Sequence, residues 1–110
     1  MTVVLKDSAK DALGSRSGEG IYIRGPDEVN GKYYWIQEGG SNALWYVASE
    51  NSWLIGNKEQ LGKFSGFIYS SDGSVGPLEP NTWKYFNGDK WIDGSNMITL
   101  SSSAGLNHFN

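Results

Sequence analysis

The chain has 110 residues, nine basic against twelve acidic, a formal charge of -3 and no cysteine. Without thiols there is no disulfide framework, cysteine nucleophile or cysteine-ligated metal. With no basic cluster either, it lacks the positive patch by which nucleic-acid binders displace counterions.

The length fits one domain. Residues 1–100 are read as a single all-β unit and 101–110 as a flexible tail. No apolar run approaches the ~20 residues that cross a bilayer. The opening Met1–Asp7 is too soon interrupted by charge for a signal peptide, so no membrane insertion is expected. Fifteen glycines beside five tryptophans, six tyrosines and four phenylalanines supply apolar bulk that disordered chains lack.

In chain order, Thr2–Lys6 is a β-branched run and reads as a strand. Ser8–Leu13 offers at most one helical turn before the loop "GSRSGEG". Ile21–Arg24 is a strand ended by Gly25-Pro26. Asn30-Gly31 predicts a tight turn, since both residues tolerate positive φ. Lys32–Gln37 and Asn42–Val47 flank a four-residue hairpin loop, Glu38–Ser41. "ASEN" turns the chain into Ser52–Gly56, completing a three-stranded meander. A helical turn at Lys58–Leu61 precedes a strand at Gly66–Ser70. Ser70–Asn81 is a long turn-rich loop. Thr82–Phe86 and Lys90–Ile92 pair across Asn87-Gly88-Asp89, and Met97–Leu100 is the last strand. Eight or so short strands joined by hairpins predict a small antiparallel meander, a sandwich or a partly open barrel.

Side-chain alternation divides each strand into two faces. Tyr33 and Trp35 oppose Tyr34 and Ile36; Leu44 and Tyr46 oppose Ala43, Trp45 and Val47; Trp53 and Ile55 oppose Leu54. All three strands are apolar on both faces, unlike an open sheet with one wet side. The second face is therefore either covered or used for binding. Trp35, Trp45 and Trp53 are expected in the core. Trp83 and Trp91, among charged residues of the last hairpin, are expected to be partly exposed. Tyr34 and Tyr85 are further candidates for outward rings.

No reaction centre is visible. His108, the single histidine, lies in the tail, which argues against a triad or a histidine metal site. "GSRSG" places Arg16 where a nucleophile elbow needs serine. The carboxylates Asp27, Glu28, Glu38, Glu50, Glu59, Asp72, Glu79, Asp89 and Asp93 fall mostly in turns, where they are solvated or cap backbone. Asp72-Gly-Ser and Asn87-Gly-Asp89 with Asp93 offer oxygens but do not match an EF-hand loop. No catalytic residue, metal or cofactor is expected.

The ordered motifs "GIYIR" at Gly20, "VNGKYYW" at Val29, "ALWY" at Ala43, "WLIG" at Trp53, "LGKFSGFIYSSDG" at Leu61 and "WKYFNGDKWID" at Trp83 span about two thirds of the chain. Their order and spacing resemble a tryptophan-rich module of large multidomain proteins of algae, oomycetes and marine invertebrates. That resemblance implies a compact β-domain, often repeated in tandem, that serves as a building or recognition unit. It implies a scaffold set by Gly31, Trp35, Trp45, Trp53, Gly56, Trp83 and Trp91, and brings no catalytic residues.

Two functions remain. One is a non-catalytic recognition or assembly domain whose partner is a protein, or a second copy, anchored by Trp and Tyr. The other is a carbohydrate-binding module in which Trp83, Tyr85, Trp91 and Tyr34 supply rings and Asn81, Asn87 and Asp89 take hydroxyls. A flat apolar patch would favour the first, coplanar exposed rings the second.

Overall fold

The computed structural model describes residues 1–14, 18–71, 76–78 and 82–102. The elements among them are β1 (Thr2–Leu5), α1 (Asp7–Leu13), β2 (Gly20–Val29), β3 (Lys32–Gln37), β4 (Asn42–Val47), β5 (Ser52–Asn57), β6 (Ile68–Ser70), β7 (Lys84–Phe86), β8 (Trp91–Asp93) and β9 (Ile98–Ser101). All strands pair antiparallel in one curled sheet of order β8-β7-β6-β5-β4-β3-β2-β1-β9, a half-barrel meander.

The curl follows from connectivity. In a flat sheet of this width the two outer strands would lie ~38 Å apart. Yet β8 and β9, the two edges, are joined through residues 94–97 alone, which can reach about 18 Å at most. The sheet must bend until its edges approach. The connection holds both sides: the Gly94 amide donates to the Trp83 carbonyl at 2.7 Å, and the Lys6 amide, just past β1, donates to the Met97 carbonyl at 2.9 Å.

Local signals account for the hairpins. Asn30 and Gly31 both have positive φ, 56° and 87°, in the two-residue turn between β2 and β3, as the primed turns require. The 3-10 turns Ala48–Glu50 and Lys58–Gln60 flank β5. Asn51 closes the first with φ 48°, and Asn57 caps the second by accepting the Glu59 amide.

Two elements are longer than the sequence predicts. Helix α1 runs two turns because Ala9 and Leu13 are buried against the inner face of the sheet; packing supplies what a seven-residue helix cannot supply alone. The Tyr85 hydroxyl donates to Ser8 Oγ at 3.1 Å, tying α1 to β7. Strand β2 continues through Gly25-Pro26 with a register shift between Arg24 and Glu28. A bulge tolerates proline's missing N–H. A Cβ on Gly25 would displace the Tyr34 ring that lies against it.

Each face of the sheet has its own core. Inside lie Val3, Leu5, Tyr22, Leu44, Trp53, Ile55, Ile68, Trp83, Tyr85 and Ile98, plugged by α1. Outside lie Ala43, Trp45, Val47 and Leu54, with Tyr34, Ile36, Leu61 and Tyr69 packed against them. The two-faced apolarity of β3–β5 is thus met by two covers. Residues 58–66 form the outer one. They cross β5 where Gly66 meets Gly56: a Cβ on Gly66 would lie 2.7 Å from the Ile55 carbonyl, and one on Gly56 2.8 Å from Gly66 Cα. Among the described residues no buried side-chain N or O atom lacks a partner, and no helix is long and apolar enough to cross a membrane.

Gly66→Ala is expected to cost about 1–3 kcal/mol in urea unfolding, since backbone must move. Gly76→Ala, with nothing within 4 Å of the added methyl, should be near neutral.

Tyr22 gives a pH test. Its hydroxyl, buried, donates to the Gly18 carbonyl at 2.6 Å, and burial raises its pKa by penalising the phenolate. A raised folded-state value means the stabilisation is complete below the unfolded phenol's value of about 10 and is lost as pH rises above it. Tyr22→Phe is expected to lose about 1 kcal/mol at neutral pH and to flatten the alkaline fall in urea midpoint.

Candidate functional site

The last hairpin divides its rings by strand parity. Tyr85 and Ile92 face each other across β7 and β8, as do Phe86 and Trp91. Tyr85 and Trp83 point inward and are each 3% exposed. This corrects the expectation that Trp83 is partly exposed and that Tyr85 faces outward. The curl brings β7 beneath α1, so the Trp83/Tyr85 face becomes interior. Phe86 and Trp91 take the outer face, and Trp91 is 41% exposed, as expected of it.

The remaining candidates lie apart. Tyr34, half-buried, covers Gly25 on the outer face; a hydrogen bond with Asp27 is the chief cause raising its pKa. Asn87 Oδ1 accepts the amides of Asp89 and Lys90, each at 2.8 Å, so its oxygen serves its own turn, and Asp89 stands exposed beside it. Asp93 Oδ1 likewise accepts Ser95 Oγ at 2.7 Å and the Ser95 amide at 3.0 Å. The Ser95 hydroxyl leads the causes that hold its carboxyl below the usual range. The six residues therefore do not form one site. Asp72, Glu79, Asn81, His108, Arg16 and the tail from 103 lie outside the described residues. Among the described residues no three His, Asp or Glu side chains gather as a metal site would require.

What the outer face does assemble is a groove of about 460 Å³. Its floor is Leu54 and Tyr69, from β5 and β6. One wall is Trp91, set edge-on to Tyr69 at 4.7 Å and tilted against Phe86 at 5.4 Å. The opposite wall is Phe64, 55% exposed, in the covering segment. Glu50, Ser52 and Ser71 bring oxygen atoms to the rim. Of these, Ser52 is buried and its hydroxyl donates to the Glu50 carbonyl at 2.8 Å. Sequence reading found Trp91 and missed the rest, which arrive from three separate segments. The one available signal was Phe64 itself, a ring in an otherwise polar stretch.

A second hollow of about 290 Å³ opens where Tyr33, Trp35 and Trp53 meet Pro77. Its rings are already engaged: Trp35 and Trp53 pack at 6.1 Å, and the Arg24 guanidinium lies 4.4 Å over Tyr33.

The far end of the outer face is open. Val4, Ile21 and Ile23 are exposed while their strand neighbours Val3, Leu5 and Tyr22 are buried inside. Thr2 pairs with Ile21, which sets Val4 diagonal to it. Ile23 pairs with Ile36 of the outer core. The result is an exposed aliphatic patch across β1 and β2.

Compared with models of protein families, with curated proteins and with solved structures, the chain matches none.

The wall bearing Phe64 is fixed by two contacts. The Trp45 indole N–H donates to the Lys63 carbonyl at 2.9 Å; Asn30 Nδ2 donates to the carbonyls of Tyr46 at 2.8 Å and Gly62 at 3.1 Å. Trp45→Phe is expected to speed tryptic cleavage after Lys63 several-fold and to cost about 1–3 kcal/mol. Cleavage at the unaltered rate would show that the segment is held by other means.

Proposed function

We propose that the protein is a non-catalytic recognition or assembly domain whose partner is another protein surface, and that this partner is a second copy of the same fold. One observation carries the reading: the uncovered patch of Val4, Ile21 and Ile23 on a face whose middle is already buried under residues 58–66. Apolar side chains gathered on one exposed face are a frequent feature of contact sites. The three side chains are β-branched and stand on paired strands, as sheet-on-sheet packing at about 10 Å requires.

The chemistry favours a like partner. The three patch side chains carry no charge, and the carboxylates nearest them in register, Glu38 beside Ile21 and Glu19 beside Val4, would have to stay at the rim of a two-fold contact. Glu19, the residue before β2, is already paired with Lys10 at 3.6 Å, so it would not enter a contact as a lone charge. The motif order resembling a tandemly repeated module supports the same role, neighbouring copies being the nearest source of a matching face.

Sedimentation equilibrium over roughly 5–500 µM, the range of weak to moderate association, tests this. A concentration-dependent dimer is expected, abolished by Ile21→Lys with Ile23→Lys. A strict monomer at every concentration would contradict the reading, as would a dimer indifferent to both substitutions.

A further inference from the structure

We propose that the groove between Trp91 and Phe64 is a binding site for a neutral carbohydrate, independent of the protein-contact face. Of the large rings on the outer face, Trp91 is the one whose surroundings leave it both exposed and held. Tyr69 and Phe86 brace it at 4.7 and 5.4 Å, so its orientation is set before any ligand arrives. The weakly positive C–H groups on a sugar's apolar side meet the negative face of an aromatic ring. Pre-set geometry limits the ordering cost of binding.

The rim decides the class of ligand. Among the described residues Glu50 is the single charged one lining the groove, and no lysine or arginine does so. An anionic ligand such as a phosphate or a sulfated sugar would find repulsion and no partner. A purely apolar ligand would have to desolvate Glu50 and the serine hydroxyls for nothing. A polyol satisfies both halves, with hydroxyls donating to the Glu50 carboxylate and exchanging hydrogen bonds with Ser71. A peptide added as a strand would need free backbone groups. Those of the floor are spent: Trp53, Leu54 and Ile55 pair with Ser70, Tyr69 and Ile68. The size, about 460 Å³, lies within the usual range for ligand clefts.

Isothermal titration calorimetry of the whole chain with cellohexaose, laminarihexaose, xylohexaose and mannohexaose, and with oligoguluronate as the anionic comparison, tests the proposal. At least one neutral hexaose is expected to bind saturably below roughly 10 mM, with quenching or shift of indole emission. Trp91→Ala should abolish the response and Trp91→Phe keep part of it, both with unchanged far-UV circular dichroism. Glu50→Gln should weaken binding roughly 5- to 20-fold by removing a charged acceptor. Ile21→Lys with Ile23→Lys should leave it intact, which separates this site from the association face. No saturable response to any neutral hexaose, equal binding by Trp91→Ala, or binding of the anionic oligomer alone would overturn it.

Discussion

A strand sends its side chains alternately to the two faces of its sheet, and in β4 and β5 both sets are apolar. Trp45 and Trp53 belong to neighbouring strands and point to opposite sides, and each is essentially inaccessible to water. Burying one such side chain contributes on the order of 2–3 kcal/mol, so neither face can be left wet without giving up a large share of a domain's net stability. The rest of the architecture follows from having to cover a sheet twice. Inside, the sheet covers itself by curling and is stoppered by α1. Outside, a segment with little regular structure is pressed onto β5 at a Gly56–Gly66 crossing too tight for a side chain.

That solution is economical and incomplete. Residues 58–66 reach the middle of the outer face, over Trp45 and Leu54, and stop. To one side the outward residues of β1 and β2 are left bare. To the other, Trp91 stands beyond the cover, and the gap between it and Phe64 is the groove. Both candidate surfaces are thus remainders of one packing problem: an exposed aliphatic one, proposed as the contact for a like surface, and a concave mixed one, proposed to take a polyol. They are separated by the covering segment, and this makes them open to separate perturbation.

Local chemistry made much of this fold legible. Asn30-Gly31, Glu38–Ser41 and Asn87–Asp89 mark turns by backbone preference alone, and alternation in KYYWIQ, NALWYV and SWLIG shows that both faces are apolar. What it could not show was tertiary in origin. Gly25-Pro26 reads as a strand end, but β2 runs on through it at a register shift, with the Tyr34 ring seated on Gly25. Ser8–Leu13 reads as one turn, but Ala9, Leu13 and the Ser8–Tyr85 hydrogen bond hold two. In the last hairpin the parity of Trp83 and Tyr85 against Phe86 is visible, while the choice of inner face depends on a curl set by β8–β9 connectivity. The groove was the least legible, because Glu50, Phe64, Tyr69 and Trp91 share no local pattern and meet only once the sheet is folded.

The central claim is that this sheet has two buried faces and a single markedly exposed indole among the described residues. Fluorine NMR of protein labelled with 5-fluorotryptophan, each resonance assigned by single Trp→Phe replacement, tests it directly. The solvent isotope shift between H₂O and D₂O should be large for Trp91, small for half-buried Trp35 and near zero for Trp45, Trp53 and Trp83. A full shift at either Trp45 or Trp53 would mean that one face of the sheet is wet, and would contradict the account.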